Sequence, residues 1–79
     1  MTEDQKCISL ILELLVASKG IPRTLPWLET EIRLAGRRTD IPSLLETMEE
    51  KDLLTSAKDA LGIRRYTLTK NGRAAFDLL

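Results

Sequence analysis

Residues 39–73 read TDIPSLLETMEEKDLLTSAKDALGIRRYTLTKNGR, and two periodicities meet inside them. Ile41, Leu44, Leu45 and Met48 follow the i, i+3, i+4, i+7 spacing of a helix with one buried face. Ser43, Glu46, Thr47 and Glu50 fall on the opposite side. Thr39 or Asp40 can cap this helix, and Pro42 sits in its first turn, where a missing N–H costs nothing. After Lys51-Asp52 the pattern becomes extended. Leu53 to Ala57 and Ile63 to Thr69 read as two antiparallel strands joined by Lys58-Asp59-Ala60-Leu61-Gly62. Tyr66 and Leu68 alternate with Arg65 and Thr67, so one face packs inward and the other stays wet. Thr69 then caps a last helix with Ala75, Phe76 and Leu79 at core spacing. Gly72 in its first turns lowers helix propensity by about 1 kcal/mol relative to Ala, which points to close packing against a neighbouring element.

Working outward toward the amino end, a second helix starts near Thr24-Leu25-Pro26 and carries Leu25, Leu28, Ile32 and Ala35 at helical spacing. Gly36 ends it. Trp27 is expected to be partly buried. The first helix runs from Thr2 or Glu3 to Lys19 and is closed by Gly20. Ile8, Ile11, Leu12, Leu15 and Val16 form its main stripe, while Cys7, Leu10 and Leu14 widen it. Only Lys6, Ser9 and Glu13 remain as a polar seam. A helix apolar on two sides needs cover on two sides, and a second copy of the chain is one such cover.

The chain has 79 residues, which is one domain, 1–79, with no room for a second core. Twelve Lys+Arg balance twelve Asp+Glu, so any attraction to a polyanion must come from uneven charge distribution. There is no His and a single Cys, Cys7. That excludes an internal disulfide and Cys/His zinc sites, and it removes the commonest general acid and base. No Gly-rich phosphate loop or spaced carboxylate pair appears, so no catalytic residue, cofactor or metal is expected and the chain does not read as an enzyme. Cys7, among apolar neighbours, reads as buried filler with a raised thiol pKa. No apolar run approaches the roughly 20 residues of a spanning helix, and the expected location is the cytoplasm.

Helix, helix, tight turn, helix, β-hairpin, helix is the layout of a winged helix-turn-helix, an α+β and mainly helical fold of three helices, a two-stranded wing and a C-terminal helix. Met48-Glu49-Glu50-Lys51-Asp52-Leu53-Leu54, then Ile63-Arg64-Arg65-Tyr66-Thr67-Leu68-Thr69, then Lys70-Asn71-Gly72-Arg73 resemble the corresponding elements of MarR-type and PadR-type regulators. The resemblance covers Thr24 to Leu79. Asp52 stands where these families usually carry Gly, so a left-handed backbone is expected at that residue. The resemblance implies a transcriptional regulator that binds duplex DNA, with the third helix in the major groove and the wing on the neighbouring backbone or minor groove.

Charge is polarised along the chain. Lys19–Arg38 holds five bases against two acids, and Ser56–Leu79 again five against two, whereas Thr39–Thr55 holds Lys51 against five acids. The residues expected to touch DNA are Arg37, Arg38 and Thr39 before the third helix, Ser43 and Thr47 on it, Lys58, Arg64 and Arg65 on the wing, and Lys70 after it. Arg65 or Arg64 could instead pair across the hairpin with Asp59. Glu46 and Glu50, four residues apart on the exposed side of the reading helix, repel phosphate. They favour an alternative in which an acidic third helix meets a basic protein partner. A homodimer through the first and last helices is expected.

Overall fold

The computed structural model describes all 79 residues. Four helices pack around a three-stranded antiparallel sheet: α1 (Glu3–Ala17), β1 (Arg23–Thr24), α2 (Leu25–Leu34), α3 (Ile41–Glu50), β2 (Leu54–Lys58), β3 (Arg64–Leu68) and α4 (Lys70–Asp77).

Each helix begins where a side-chain oxygen can satisfy its orphan N–H groups. Thr2 and Gln5 form a reciprocal capping box: the Gln5 N–H donates to Thr2 Oγ1 at 3.1 Å and the Thr2 N–H to Gln5 Oε1 at 2.8 Å. Thr24, Asp40 and Thr69 cap α2, α3 and α4 by accepting from the N–H groups of Trp27, Ser43 and Gly72. The helix ends are equally local. At Gly36 (φ +77°) the Arg37 N–H reaches Ile32 O and the Gly36 N–H reaches Arg33 O, which is the Schellman closure. The same pair of bonds closes α3, from Leu53 to Met48 and from Asp52 to Glu49, with Asp52 at φ 58°. Asp52 therefore takes the left-handed role expected of it. α1 stops at Ala17, two residues short of expectation, because Lys19 and Gly20 both turn to positive φ (53° and 85°).

The wing expected as two strands is part of a larger sheet. β1 joins it at the edge, in the order β1-β3-β2, with Arg23 opposite Tyr66 and Thr24 opposite Arg65. Two residues are too short to display an alternating pattern, which is why the sequence does not announce this strand. Pro22 precedes it and has no N–H to extend the ladder. On the other side β2 and β3 pair from Leu54↔Leu68 to Lys58↔Arg64. β2 is shifted by one residue from the expected Leu53–Ala57, and β3 is one residue shorter at each end than the expected Ile63–Thr69.

Twelve buried residues form one core, drawn from α1 (Cys7, Ile11, Leu12, Leu15), α2 (Leu28, Ile32), α3 (Ile41, Leu44, Leu45, Met48) and the sheet (Leu54, Tyr66). Ile8, Leu10, Leu14, Trp27, Ala75 and Phe76 pack against it half-buried. Leu79, expected in the core, is 69% exposed, since α4 ends at Asp77 and the last two residues project beyond it. Gly72 lies so close to the Leu53 carbonyl and the Leu68 side chain that a Cβ would overlap both. α4 is thus held against the junction between α3 and the sheet, where the Thr69 N–H also donates to Leu53 O at 3.3 Å.

Candidate nucleic-acid interface

The turn that precedes α3 is fixed by the amino end of α1. Glu3 accepts from Arg37 Nη1 at 3.3 Å and from the Arg38 N–H at 3.4 Å, and Asp4 accepts from Thr39 Oγ1 at 2.6 Å. Both acids occupy the first turn of α1, where the helix dipole favours negative charge. Arg37 is accordingly committed to an ion pair rather than free. The exposed Arg38 side chain makes no hydrogen bond or ion pair. Arg33, Arg37 and Arg38 line a shallow 340 Å³ depression together with Thr39 and Glu29. Arg33 was not among the expected residues. Its signal is its place four residues before Arg37, at the end of a helix that stops between them.

On α3 the first turns carry Ser43, exposed, and Thr47, half-buried, whose hydroxyl donates back to Ser43 O at 3.2 Å. Glu46, Glu49 and Glu50 are exposed farther along, and the helix has no base. Glu49 is engaged: both of its carboxylate oxygens lie within 3.1 Å of Ser56 Oγ on β2. Ser56 in turn accepts from Arg64 Nη1 at 2.7 Å. Since one hydroxyl proton serves only one acceptor at a time, this chain of contacts ties the end of α3 to the wing through a charge-assisted bond at each end.

Side-chain alternation separates the two wing arginines. Arg64 pairs in register with Lys58, on the sheet face that carries Ser56 and Tyr66. Arg65 lies opposite Ala57 on the reverse face, where its Nε donates to Asp59 Oδ2 at 3.2 Å. Asp59 also accepts from the N–H groups of Leu61 and Ile63, at 2.9 and 3.0 Å, and so closes the hairpin. Hydrogen bonding from Ile63 is the main reason its carboxyl pKa is lowered, with Leu61 and Arg65 adding to it against some desolvation. The expected Arg64-Arg65 pair is therefore two separate features, and the cations that the fold brings together are Lys58 and Arg64. Lys58 has no carboxylate partner.

Lys70 lies elsewhere. It lines a depression with Lys19 and Arg73 beside the last residues of β3, at the opposite end of the strand from Arg64. Four residues of extended chain separate these ends by about 14 Å. Arg23 is a further cation not anticipated: its guanidinium lies 4.3 Å from the Trp27 ring centroid and its Nε donates to Ser18 Oγ at 2.8 Å. That arrangement holds β1 to the start of α2.

Cys7 is fully buried in the core, and burial, followed by the Glu3 carboxylate, raises its thiol pKa. Burial likewise raises the pKa of the Tyr66 hydroxyl. No group of three or more His, Cys, Asp or Glu is placed to hold a metal ion, and no helix is long and apolar enough to cross a membrane. Compared with protein-family models, curated proteins and solved structures, the chain matches none.

Proposed function

We propose that this chain is a winged helix-turn-helix protein of the MarR or PadR kind that binds duplex DNA non-catalytically in the cytoplasm, as a transcriptional regulator. In this reading α2 and α3 form the helix-turn-helix, the β2–β3 hairpin is the wing, and Ser43 and Thr47 face base edges. The order of elements supports it, as does the capped, tightly closed turn between α2 and α3. The observation that carries it is the Lys58–Arg64 pair. Two like charges directly opposite each other destabilise a hairpin, and here they sit exposed on the face linked to α3 through Ser56. A phosphate between them converts that repulsion into attraction. Arg38 and Arg33 supply further phosphate contacts before α3.

Dimerisation through α1 and α4 belongs to the same reading. Met1, Ile8 and Leu79 line a 270 Å³ depression where the two ends of the chain meet, and a second copy would cover it. The two reading helices would then address half-sites about one helical turn, roughly 34–36 Å, apart.

Fluorescence anisotropy with mixed-sequence duplex DNA across a salt series tests the proposal. Binding that weakens steeply as salt rises is expected, and no binding at low salt overturns it. A second reading has its own support. The exposed acids Glu46 and Glu50 and the absence of any base on α3 suit a basic protein partner. Retention of such a partner with no affinity for DNA would favour it.

A further inference from the structure

The tip of the β2–β3 hairpin has an unusual composition for a turn in water. Beyond the Lys58↔Arg64 pair the chain runs Asp59-Ala60-Leu61-Gly62-Ile63. Turns ordinarily carry Asn, Asp, Ser or Gly, whose side chains or freedom serve the local backbone. Here Asp59 and Gly62 fill those roles between them. The Asp59 carboxylate accepts from the Leu61 and Ile63 N–H groups and pairs with Arg65. The Gly62 N–H donates to Asp59 O and the Asp59 N–H to Ile63 O, both at 2.9 Å. Gly62 supplies the positive φ (80°) that closes so short a loop.

The remaining side chains of the tip are apolar and open to solvent. Leu61 is 85% exposed and Ile63 42%, and Ala57 and Ala60 beside them are exposed as well. A scattered exposed leucine needs no explanation, whereas a contiguous apolar cap on a rigid protrusion does. The N–H groups of Asp59, Leu61, Gly62 and Ile63 are all bonded within the loop, which lowers the penalty for taking this backbone out of water. Behind the cap stand Lys58 and Arg64, exposed and without a carboxylate partner, while Asp59 and Arg65 cancel each other. Two to three residues of extended chain, or roughly 7–10 Å, separate this cation pair from Leu61. Interfacial apolar groups rest at a similar depth, roughly 5–10 Å into the boundary between lipid headgroups and acyl chains.

From this juxtaposition of an apolar cap and a cationic collar we infer that the wing tip docks on the surface of an anionic lipid bilayer. Leu61 and Ile63 enter the headgroup boundary, and Lys58 and Arg64 meet lipid phosphates. The contact is peripheral, since no helix is long and apolar enough to cross a membrane. Phosphates of a duplex would engage the two cations alone, whereas a bilayer also takes up the cap. The same cations carry the DNA proposal, so a membrane and a duplex exclude each other at the wing. Lipid docking itself requires no affinity for DNA.

Co-sedimentation with sucrose-loaded vesicles tests it, comparing equal parts phosphatidylglycerol and phosphatidylcholine with phosphatidylcholine alone. Binding to the anionic vesicles is expected to half-saturate at a lipid concentration on the order of 1 mM. Phosphatidylcholine alone should bind at least ~10-fold more weakly, as the loss of two cation contacts requires. Leu61→Asn, at an exposed loop position that leaves the Asp59 bonds in place, should weaken vesicle binding by about 10-fold. Lys58→Ala should weaken it by about 5-fold. Circular dichroism checks that both variants are folded. Duplex anisotropy keeps the two proposals apart: Leu61→Asn should leave DNA affinity nearly unchanged, and failure on vesicles would leave the salt-series test of DNA binding untouched. Equal binding to both vesicle types, no binding to either, or undiminished binding of Leu61→Asn would overturn the inference. So would a loss of duplex affinity in Leu61→Asn, which would assign the cap to the base stack as an apolar wedge.

Discussion

Gly72 on α4 rests directly on the carbonyl of Leu53, the residue that leads from α3 into the sheet. Helix propensity and packing make opposite demands here. Ala would favour the helix by about 1 kcal/mol, yet its methyl would intrude on a backbone oxygen that cannot swing aside. Gly72→Ala is therefore expected to destabilise the protein by at least about 2 kcal/mol, as overpacking against backbone does. Urea denaturation monitored by circular dichroism measures it, and a stabilised variant would contradict the close approach.

Asp52 holds the left-handed position that closes α3, and its carboxylate accepts from Asn71 Nδ2 at 2.6 Å. Asp52→Gly relieves the backbone strain while losing an exposed hydrogen bond, so its stability should stay within about 1 kcal/mol of the parent. Asp52→Val keeps the strain, worsens it by β-branching and loses the bond, and should cost roughly 2 kcal/mol. Equal stabilities for the two variants would show that the positive φ has no energetic weight.

The wing should respond to acid through Asp59. Its folded carboxyl pKa lies below the unfolded value of about 3.9. The stabilisation it provides is therefore complete above that value and disappears as pH falls through the lower, folded one. Amide shifts of Leu61 and Ile63 should report a midpoint below about 3.9. Asp59→Asn retains an acceptor for both N–H groups, so the turn should persist with that midpoint abolished.

If DNA is bound, the two wing arginines should behave differently. Lys58→Ala and Arg64→Ala are each expected to lower the salt-dependence slope by about 1, the signature of one lost phosphate contact. Arg65→Ala, whose guanidinium pairs with Asp59 on the reverse face, should leave the slope nearly unchanged. A larger effect at Arg65 than at Arg64 would reverse the face assigned to the nucleic acid.

Oligomerisation gives a separate expectation. Sedimentation at micromolar concentration should detect a dimer, and Ile8→Glu, at the half-buried edge of the depression shared with Met1 and Leu79, should yield monomer. A parent protein that sediments as a monomer would remove the dimer from the reading.

Most helix boundaries were legible because their signals are chemical and local. Thr24, Asp40 and Thr69 cap where they stand in the sequence, and the Ile41-Leu44-Leu45-Met48 face is the buried one. The close contact at Gly72 and the left-handed Asp52 were legible for the same reason, since each breaks a local preference. β1 was not, because a two-residue strand exists only through its partner on β3. The cationic surface was the least legible part. Sequence order lists arginines, but strand alternation puts Arg64 and Arg65 on opposite faces, and long-range pairing consumes Arg37 through Glu3, 34 positions away.

The brevity of β1 also shapes how the molecule behaves in a crowd. A sheet margin with free N–H and C=O groups invites a neighbour's strand to add on, and through it fibrous aggregation. Here one margin is two residues long and stopped by a proline, and the other is five residues long and finishes at Lys58. Neither offers a foreign strand enough uninterrupted backbone to zip onto, so the chain should stay dispersed at concentrations where a longer, bare margin would polymerise.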